Sequence, residues 1–207
     1  MQNFDFAPDP WLTRVLNIQC IKISATSISD YIEWKKQAIL DREYFITIKT
    51  DSGTFSDLEC SDSQLVLIQQ MNQYSWNSDP KHHNLQDFRV RSSTTEDIEE
   101  ILAIGSNSFG LSRFHKDPRI SHQVSEEIKR KWLLSNLTSR KNCETLVVLN
   151  PREEIVGFCS LLIQIDYMVI DLISIYPTFR RKGLGRLLVS GAQRAAEARN
   201  LPLTVGT

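Results

Sequence analysis

The sequence lacks two features that would place a protein at a membrane or on nucleic acid. No apolar run is long enough to cross a bilayer, and the first residues do not place an apolar segment after a basic one, as a secretory signal would. Charge of one sign is not in excess either, because 24 Lys and Arg residues face 25 Asp and Glu residues and leave a formal net charge of −1. We therefore expect neither a membrane nor a nucleic acid as a partner.

Cysteine is scarce, and no two cysteines stand in a C-x-x-C pair. The four positions are Cys20, Cys60, Cys143 and Cys159. Scattered thiols of this kind indicate a reducing compartment, so we expect a cytoplasmic protein. The adjacent His82 and His83 have no cysteine or carboxylate at ligand spacing. Because adjacent histidines in a polar segment are more often solvated than ligating, we expect no metal.

Two nucleotide-binding signatures are also absent. The chain has no Gly-x-x-x-x-Gly-Lys-Ser/Thr, and the glycine pair at Gly183 and Gly185 lacks the third glycine and the downstream acidic residue of a dinucleotide-binding unit. A P-loop and a dinucleotide-binding unit are therefore excluded as explanations of this glycine-rich turn.

What the sequence does contain is a strand, a turn and a helix near its C-terminal end. The apolar run Met168–Ile175 predicts a strand that Pro177 ends, and apolar residues recur with helical spacing after Gly183. They are Leu184, Leu187, Leu188, Gly191, Ala192, Ala195 and Ala198. This stripe predicts a helix with one face against a sheet and with a free N-terminus.

The first turn of the predicted helix has the composition of an anion site. Gly183 and Gly185 allow an anion to approach the backbone, and the first N–H groups of a helix have no partner within it. Four cations surround the turn: Arg180, Arg181, Lys182 and Arg186. We predict that this turn binds a diphosphate. The alternative is a tight connection between strand and helix with a solvated, charged face.

The spacing Arg180-x-x-Gly183-x-Gly185 after Pro177 and a β-branched strand end resembles motif A of the GCN5-related N-acetyltransferases, the GNAT family. The resemblance implies that backbone amides of the turn hold the pyrophosphate of acetyl-CoA, the co-substrate, while the preceding strand pairs with the pantetheine arm. The cofactor-binding residues that it implies are Ile173, Ser174, Ile175, Arg180, Arg181, Lys182, Gly183, Leu184, Gly185 and Arg186.

We predict two domains in an α/β (α+β) chain. Residues 1–87 are expected to form a small α/β subdomain, with residues 1–17 irregular, strands near Gln19–Ile23, Glu43–Thr50 and Gln64–Gln70, a helix over Ser27–Leu40 and a polar linker at Trp76–Asn84. Residues 88–207 follow the order β-α-α-β-β-β-α-β, with Ser93-x-x-Glu96 as a capping box at the first helix. This order matches the GNAT fold, a mixed central sheet with flanking helices.

The loop Ser108–Ile120 concentrates chemically active residues and resembles the acceptor side of bacterial acyltransferases that act on nucleotide-linked amino sugars, such as dTDP-4-amino-4,6-dideoxygalactose. The resemblance implies that Arg113 and His115 contact the acceptor. A guanidinium suits a phosphate or carboxylate, and an imidazole can hydrogen-bond a hydroxyl or accept a proton. The alternative is that both residues hold the loop in place through backbone carbonyls.

The resemblance also implies direct acetyl transfer, with amides of Ile173–Ile175 facing the thioester. Asp171 is the only acidic residue on that strand and is our candidate to hold a deprotonating water; the alternative is an aspartate that merely ends strand pairing. The family's usual proton donor is a tyrosine in a helix after the strand that we predict at Leu203–Val205. We therefore expect a C-terminally truncated domain whose last helix and hairpin are missing.

The function predicted from these residues is transfer of an acetyl group from acetyl-CoA to a primary amine of a small molecule, with a nucleotide-linked amino sugar as the leading acceptor. Two alternatives stay open: a non-catalytic relative that only binds CoA, and an acetyltransferase for another small amine or a protein N-terminus. A homodimer stays open as the assembly.

Overall fold

The computed structural model describes residues 5–24, 28–37, 44–50, 68–69, 73–76, 85, 87–106, 108–110, 112–138 and 142–206. Contacts between residues divide the chain into two compact units, Met1–Gln70 and Met71–Thr207. Among the described residues, none of the helices combines the length and the apolar character needed to cross a membrane.

The described part of the first unit is a three-stranded sheet with two helices. Its elements are β1 (Asp5–Pro8), α1 (Pro10–Leu16), β2 (Gln19–Ser24), α2 (Ile28–Gln37) and β3 (Tyr44–Lys49). Strand β2 is central, antiparallel to β1 and parallel to β3. Its buried Ile21 and Ile23 pack against Tyr31 and Trp34 of α2. The unit thus has its own small core.

The prediction that residues 1–17 are irregular is wrong for β1 and α1. Asp9 caps α1 by accepting a hydrogen bond from the Leu12 N–H at 3.0 Å, and Pro10 occupies the first helical position, where its missing N–H costs nothing. The predicted strand Gln64–Gln70 lies outside the described residues except for Ile68 and Gln69, and the linker does so except for Trp76.

The second unit is a six-stranded sheet with helices on both faces. Its strands are β4 (Gln73–Trp76), β5 (Arg89–Ser92), β6 (Cys143–Leu149), β7 (Ile155–Ile163), β8 (Met168–Ile175) and β9 (Leu203–Gly206). Its helices are α3 (Ile98–Ser106), α4 (Arg113–Lys116), α5 (His122–Thr138) and α6 (Leu184–Glu197). The strand order is β4-β9-β8-β7-β6-β5, and only β8 and β9 are parallel. This mixed sheet with flanking helices confirms the predicted fold class.

The division into units differs from the predicted boundary after residue 87. Strand β4 lies before that boundary, yet it pairs with β9 in the larger sheet, from Gln73 opposite Gly206 to Trp76 opposite Leu203. A strand belongs to the same unit as the strand to which it is hydrogen-bonded. The paired residues of β4 and β9 are 127 or more positions apart in sequence. The local composition around Trp76 therefore contains no signal for this pairing.

Helix α6 covers one face of the large sheet, and α3 and α5 cover the other. Leu184, Leu188 and Ala192 of α6 pack with Met168 and Ile170 of β8. The predicted stripe is correct in its first five positions, and Ala195 is partly buried against the same core, but Ala196 is buried and Ala198 is exposed. At the middle of α6, a Cβ on Gly191 would approach Val90 and Leu146 to 3.1 and 3.2 Å. Glycine there allows the close approach of helix and sheet.

A bulge in β8 changes the direction of its side chains. Leu172 lies opposite Ser160 and Ile170 lies opposite Leu161, so Asp171 is an extra residue between two pairs. Before the bulge, Ile170 packs on the α6 side, and after it Leu172 packs with the core beneath α3 and α5. A bulge bends a strand and re-aims its side chains. Here it places Leu172 on the same side of the sheet as Asp171, and both face α5.

The first turn before α3 is capped one residue later than predicted. The capping box joins Thr94 and Asp97, rather than Ser93 and Glu96. Asp97 also accepts two hydrogen bonds from Arg91, at 2.6 and 2.9 Å. Asp97, whose carboxylate lies beside Arg91, therefore takes the capping position that was predicted for Glu96.

Candidate active site

The candidate anion site at the start of α6 consists of backbone N–H groups rather than side chains. After β8, Pro177–Phe179 makes one 3-10 turn, and Gly183 then caps α6 with φ of 84°, in the left-handed region that favours glycine. Leu184 follows immediately and is buried in the core, which anchors this turn. The Leu187 N–H is the first that we find bonded back to Gly183, at 3.1 Å. The N–H groups before it therefore point out of the helix.

Gly185 marks open space at this helix start. A Cβ built on Gly185 would meet no heavy atom within 4 Å. The fold itself therefore does not require glycine at this position, whereas an anion lying on the N–H groups would collide with a side chain there. This is the geometry that the sequence predicts for a diphosphate site.

The four predicted cations are all exposed around this turn: Arg180, Arg181, Lys182 and Arg186. Two of them have defined contacts. The Arg180 Nε donates to the Ile175 carbonyl at 3.0 Å, and the Lys182 Nζ lies 5.0 Å from the centre of the Phe179 ring. Their charges thus stay near the end of β8 and the start of α6.

One edge of β8 has no described partner over its last residues. The Tyr176 N–H donates to the Val156 carbonyl of β7 at 2.8 Å. Because bonded and non-bonded pairs alternate in an antiparallel ladder, the N–H groups of Ile173 and Ile175 point away from β7. On that side β9 pairs with β8 only as far as Ile170, and none of the described strands pairs beyond it. These N–H groups are therefore available to a ligand.

Ser174 differs from its two neighbours. By the same alternation its N–H points into the ladder with β7. Its hydroxyl donates to the Ser108 hydroxyl at 2.6 Å, on the side of α3. Of the predicted strand residues, Ile173 and Ile175 thus present backbone to the open edge, and Ser174 ties the strand to the loop after α3.

A second group of functional side chains lies on the opposite face, around Asp171. Its Oδ2 accepts hydrogen bonds from Trp132 Nε1 at 2.8 Å and from Asn136 Nδ2 at 2.6 Å. Burial raises the pKa of Asp171 above its ordinary value, although these two hydrogen bonds act in the opposite direction. A partly buried carboxylate with a raised pKa is a suitable proton acceptor near neutral pH.

Two cations lie near this carboxylate. Burial lowers the pKa of Lys129 to about 8; the charge of Arg113 lowers it further and that of Asp171 opposes both. The Lys129 Nζ lies 4.4 Å from the centre of the Trp132 ring, and the Arg113 guanidinium lies 4.7 Å from that of Phe114. We call Arg113, Lys129, Trp132, Asn136 and Asp171 the α5 cluster. It combines a proton acceptor with positive charge and aromatic surface.

His115, in contrast, is engaged inside the protein. Its side chain is only 3% exposed, Nδ1 lies 2.7 Å from the Ser112 hydroxyl, and Nε2 lies 2.8 Å from Glu126 Oε1. Acceptor contact by His115 stays a prediction, and these distances favour the alternative that it holds the loop. Arg113, two residues earlier on α4, belongs to the α5 cluster instead, with its guanidinium 5.9 Å from the centre of the Trp132 ring.

Sequence reasoning did not assign a role to Lys129 or Asn136. A signal was available, because residues 129, 132 and 136 repeat with helical spacing and so form one stripe of α5. What the spacing could not reveal is that the bulge at Asp171 faces this stripe.

Comparisons with known proteins agree with this geometry. The model of the family described as "Acetyltransferase (GNAT) family" matches residues 111–206. The spore coat polysaccharide biosynthesis protein SpsD of Bacillus subtilis (strain 168) is 28% identical over 112 residues, which are 54% of this chain and 38% of SpsD. The match therefore spans less than half of that relative's own length.

The chain also matches solved structures. A functionally unknown conserved protein from Staphylococcus epidermidis ATCC 12228 superposes with a TM-score of 0.58 at 12% identity, covering 92% of this chain and 73% of that one. The PaiA N-acetyltransferase of Thermoplasma acidophilum, solved with coenzyme A, has a TM-score of 0.42 at 16% identity, over 56% of this chain and 76% of its own. The family model covers residues 111–206, which are 96 of the 207 residues. This part of the chain, which includes the strand, turn and helix at Met168–Glu197, is therefore similar to the GNAT acetyltransferases.

Proposed function

We propose that this chain is an N-acetyltransferase that moves the acetyl group of acetyl-CoA to a primary amine. One observation carries the proposal: the open start of α6 lies directly beyond the unpaired edge of β8. An anion site and a free strand edge in line can bind a molecule that has a diphosphate at one end and an amide-containing arm at the other.

In the proposed complex, the pyrophosphate lies on the N–H groups that follow Gly183, with the four cations around it. The pantetheine arm then runs back along β8 and hydrogen-bonds its open edge at Ile173 and Ile175. A strand advances by about 3.3 Å per residue, so the arm leads from the end of β8 toward the bulge at Asp171 over roughly 13 Å. The thioester would then lie near the α5 cluster.

The proposed reaction needs a proton acceptor and an oxyanion site. The amine lone pair attacks the thioester carbonyl carbon, Asp171 accepts the amine proton directly or through a water, and a free N–H of β8 stabilises the oxyanion. The C–S bond then breaks, and the CoA thiolate takes up a proton as it leaves. The raised pKa of Asp171 supports this role, because a carboxylate accepts a proton more readily when its pKa is closer to neutral pH.

We propose a nucleotide-linked amino sugar as the acceptor. Arg113 and Lys129 would pair with its phosphates, and the Trp132 ring would offer a surface for sugar or base. SpsD, whose name places it in spore coat polysaccharide biosynthesis, supports an acceptor of the sugar class. The free cysteines Cys20, Cys143 and Cys159 support a cytoplasmic location.

The test of the CoA site is acetyl-CoA binding by calorimetry to the Gly185→Val variant. The Val side chain would occupy the space proposed for the diphosphate, so we expect the Kd to rise at least about 100-fold, which is roughly 2.7 kcal/mol. Gly110→Val is the matched control, since a Cβ on Gly110 also meets no heavy atom within 4 Å. An unchanged Kd in Gly185→Val would refute the proposed site.

A further variant tests the proposed catalytic role of Asp171. Asp171→Asn should retain the Kd for acetyl-CoA but lower kcat about 100-fold, as loss of a general base does. Asp166→Asn, in the exposed turn before β8, is the control. Binding of acetyl-CoA without any release of free thiol in the presence of amino sugar nucleotides would favour a chain that binds CoA and does not transfer the acetyl group.

A further inference from the structure

We propose that His115, His122 and Glu126 form a binding site for a divalent transition metal, with Zn²⁺ as the best match. This site lies between α4 and the first turns of α5. It is separate from the start of α6, and none of its three residues belongs to the α5 cluster.

The three potential ligand atoms are already close together. One ring nitrogen from each histidine and one carboxylate oxygen lie within 4.8 Å of one another. The His115 Nε2 is 2.8 Å and the His122 Nε2 is 3.9 Å from Glu126 Oε1. Ligand atoms of a tetrahedral Zn²⁺ with bonds of about 2.0–2.1 Å stand roughly 3.3 Å apart. Movements of about 1 Å by two side chains would therefore reach metal geometry.

The elements that carry these residues fix two of the three ligands. His122 and Glu126 are four residues apart on α5, so they share one face of the helix. His115 reaches them from α4, and its ring is buried, which leaves it little freedom to turn away. His122 is 79% exposed and can rotate toward the other two. The arrangement is thus largely formed before a metal binds.

His115 also has the supporting contact that metal-binding histidines usually have. Its Nδ1 lies 2.7 Å from the Ser112 hydroxyl, while Ser112, at the N-cap position of α4, makes no capping hydrogen bond with that hydroxyl. A serine hydroxyl can accept or donate. Without a metal, the His115 Nε2–H can donate to the Glu126 carboxylate. When a metal replaces that proton, the Ser112 hydroxyl can accept from Nδ1–H and leave the Nε2 lone pair for the metal.

Two imidazoles and a carboxylate are one of the ligand sets that hold Zn²⁺ through three side chains, with a water in the fourth position. Helix α4 has only four residues and cannot be stable by itself. A metal would join it to α5 and so hold Arg113, which α4 also carries, close to the other members of the α5 cluster. We therefore assign the metal a structural role. The sequence led us to expect no metal, an expectation that rests on His82 and His83. His122 and Glu126 stand four residues apart, but only the fold brings His115 to them.

Titration of the 207-residue chain with Zn²⁺ by calorimetry tests the site. We expect one Zn²⁺ per chain and a higher Tm with metal, because a ligand that binds only the folded state stabilises it. His122→Ala and Glu126→Gln should each weaken Zn²⁺ binding about 100-fold or more, since each removes one of three ligands. Gln can keep the hydrogen bond to His115, so Glu126→Gln separates ligation from loop anchoring.

The matched control is the double variant His82→Ala/His83→Ala, which removes the other two of the four histidines. It should bind Zn²⁺ as the wild type does. Co²⁺ as a second probe should give the visible absorption of nitrogen and oxygen ligation. The proposal fails if the wild type binds no Zn²⁺, if His122→Ala and Glu126→Gln bind as tightly as the wild type, if binding is lost in the His82/His83 control, or if Co²⁺ shows thiolate charge-transfer bands.

Discussion

Two helices of the larger unit begin in opposite ways. The turn that leads into α3 is closed by the protein's own carboxylate: Asp97 accepts from the Thr94 N–H at 2.7 Å and pairs with Arg91 at 2.6 Å. The start of α6 has Gly183 at its cap, no described side chain bonded to its first N–H groups, and exposed cations around it.

The difference indicates where an external anion belongs. A helix N-terminus carries a partial positive charge, so cations near it are unfavourable unless an anion lies between them. At α3 the anion is a side chain, and the helix start serves stability. At the start of α6, four cations lie at the positive end of the helix, and no described side chain supplies an anion there. That arrangement costs stability in the free protein, and a bound diphosphate would offset the cost.

The largest expected effect comes from giving α6 a carboxylate of its own. Gly183→Asp should raise the Kd for acetyl-CoA about 100-fold, because the carboxylate would occupy the anion site and repel the diphosphate. Gly183→Asn is the control of equal size, and both side chains are among the better tolerated ones at positive φ. The Kd of Gly183→Asn for acetyl-CoA should rise by only about tenfold. Equal Kd values by calorimetry would mean that shape, not charge, limits binding.

The next effect concerns the closed helix start. Arg91, through its hydrogen bonds, lowers the pKa of Asp97 to about 2 from an ordinary value of 3.8. A depressed pKa contributes stability above about pH 4 that is lost as the pH falls through about 2. For Asp97, whose side chain is 10% exposed, this amounts to about 2 kcal/mol at pH 7.

We therefore expect Asp97→Asn to lower the free energy of unfolding by about 2 kcal/mol at pH 7, and the difference from wild type should shrink as the pH approaches 2. Urea titrations between pH 2 and 7 measure it. Glu96→Gln, an exposed neighbour in the same turn, is the control. A difference that does not change with pH would show that the capping geometry, not the charge, stabilises this turn.

The smallest expected effect tests whether CoA and the acceptor bind on different faces of the sheet. Arg113→Ala should raise the KM for a nucleotide-linked amino sugar about tenfold, as loss of one charge-assisted pair does, and leave the KM for acetyl-CoA unchanged. Arg130→Ala, an exposed position on α5, serves as the control. If both KM values changed together, the division between a CoA face and an acceptor face would be wrong.

The features read correctly from the sequence are those with a local physical cause. Pro177 ends β8 because it cannot continue a ladder, Gly183 allows positive φ, and the apolar period after Leu184 buries one side of α6. The pairing of β4 with β9 and the shift of the capping box to Asp97 are not local in this sense. They depend on which strand has an open edge and which carboxylate has an arginine beside it.

By itself, the sequence determined the fold class and the order of the strands and helices from residue 88 onward, except for the short helix α4 inside the predicted loop Ser108–Ile120. It also predicted a backbone anion site at the start of α6. Each of these depends on residues within one or two turns of one another. Only the tertiary structure decided that Asp171 meets Trp132 and Asn136, 39 and 35 residues earlier, and that His115 meets Glu126. Side chains on different elements meet according to strand register and helix packing, and one extra residue in a strand reverses which face they share.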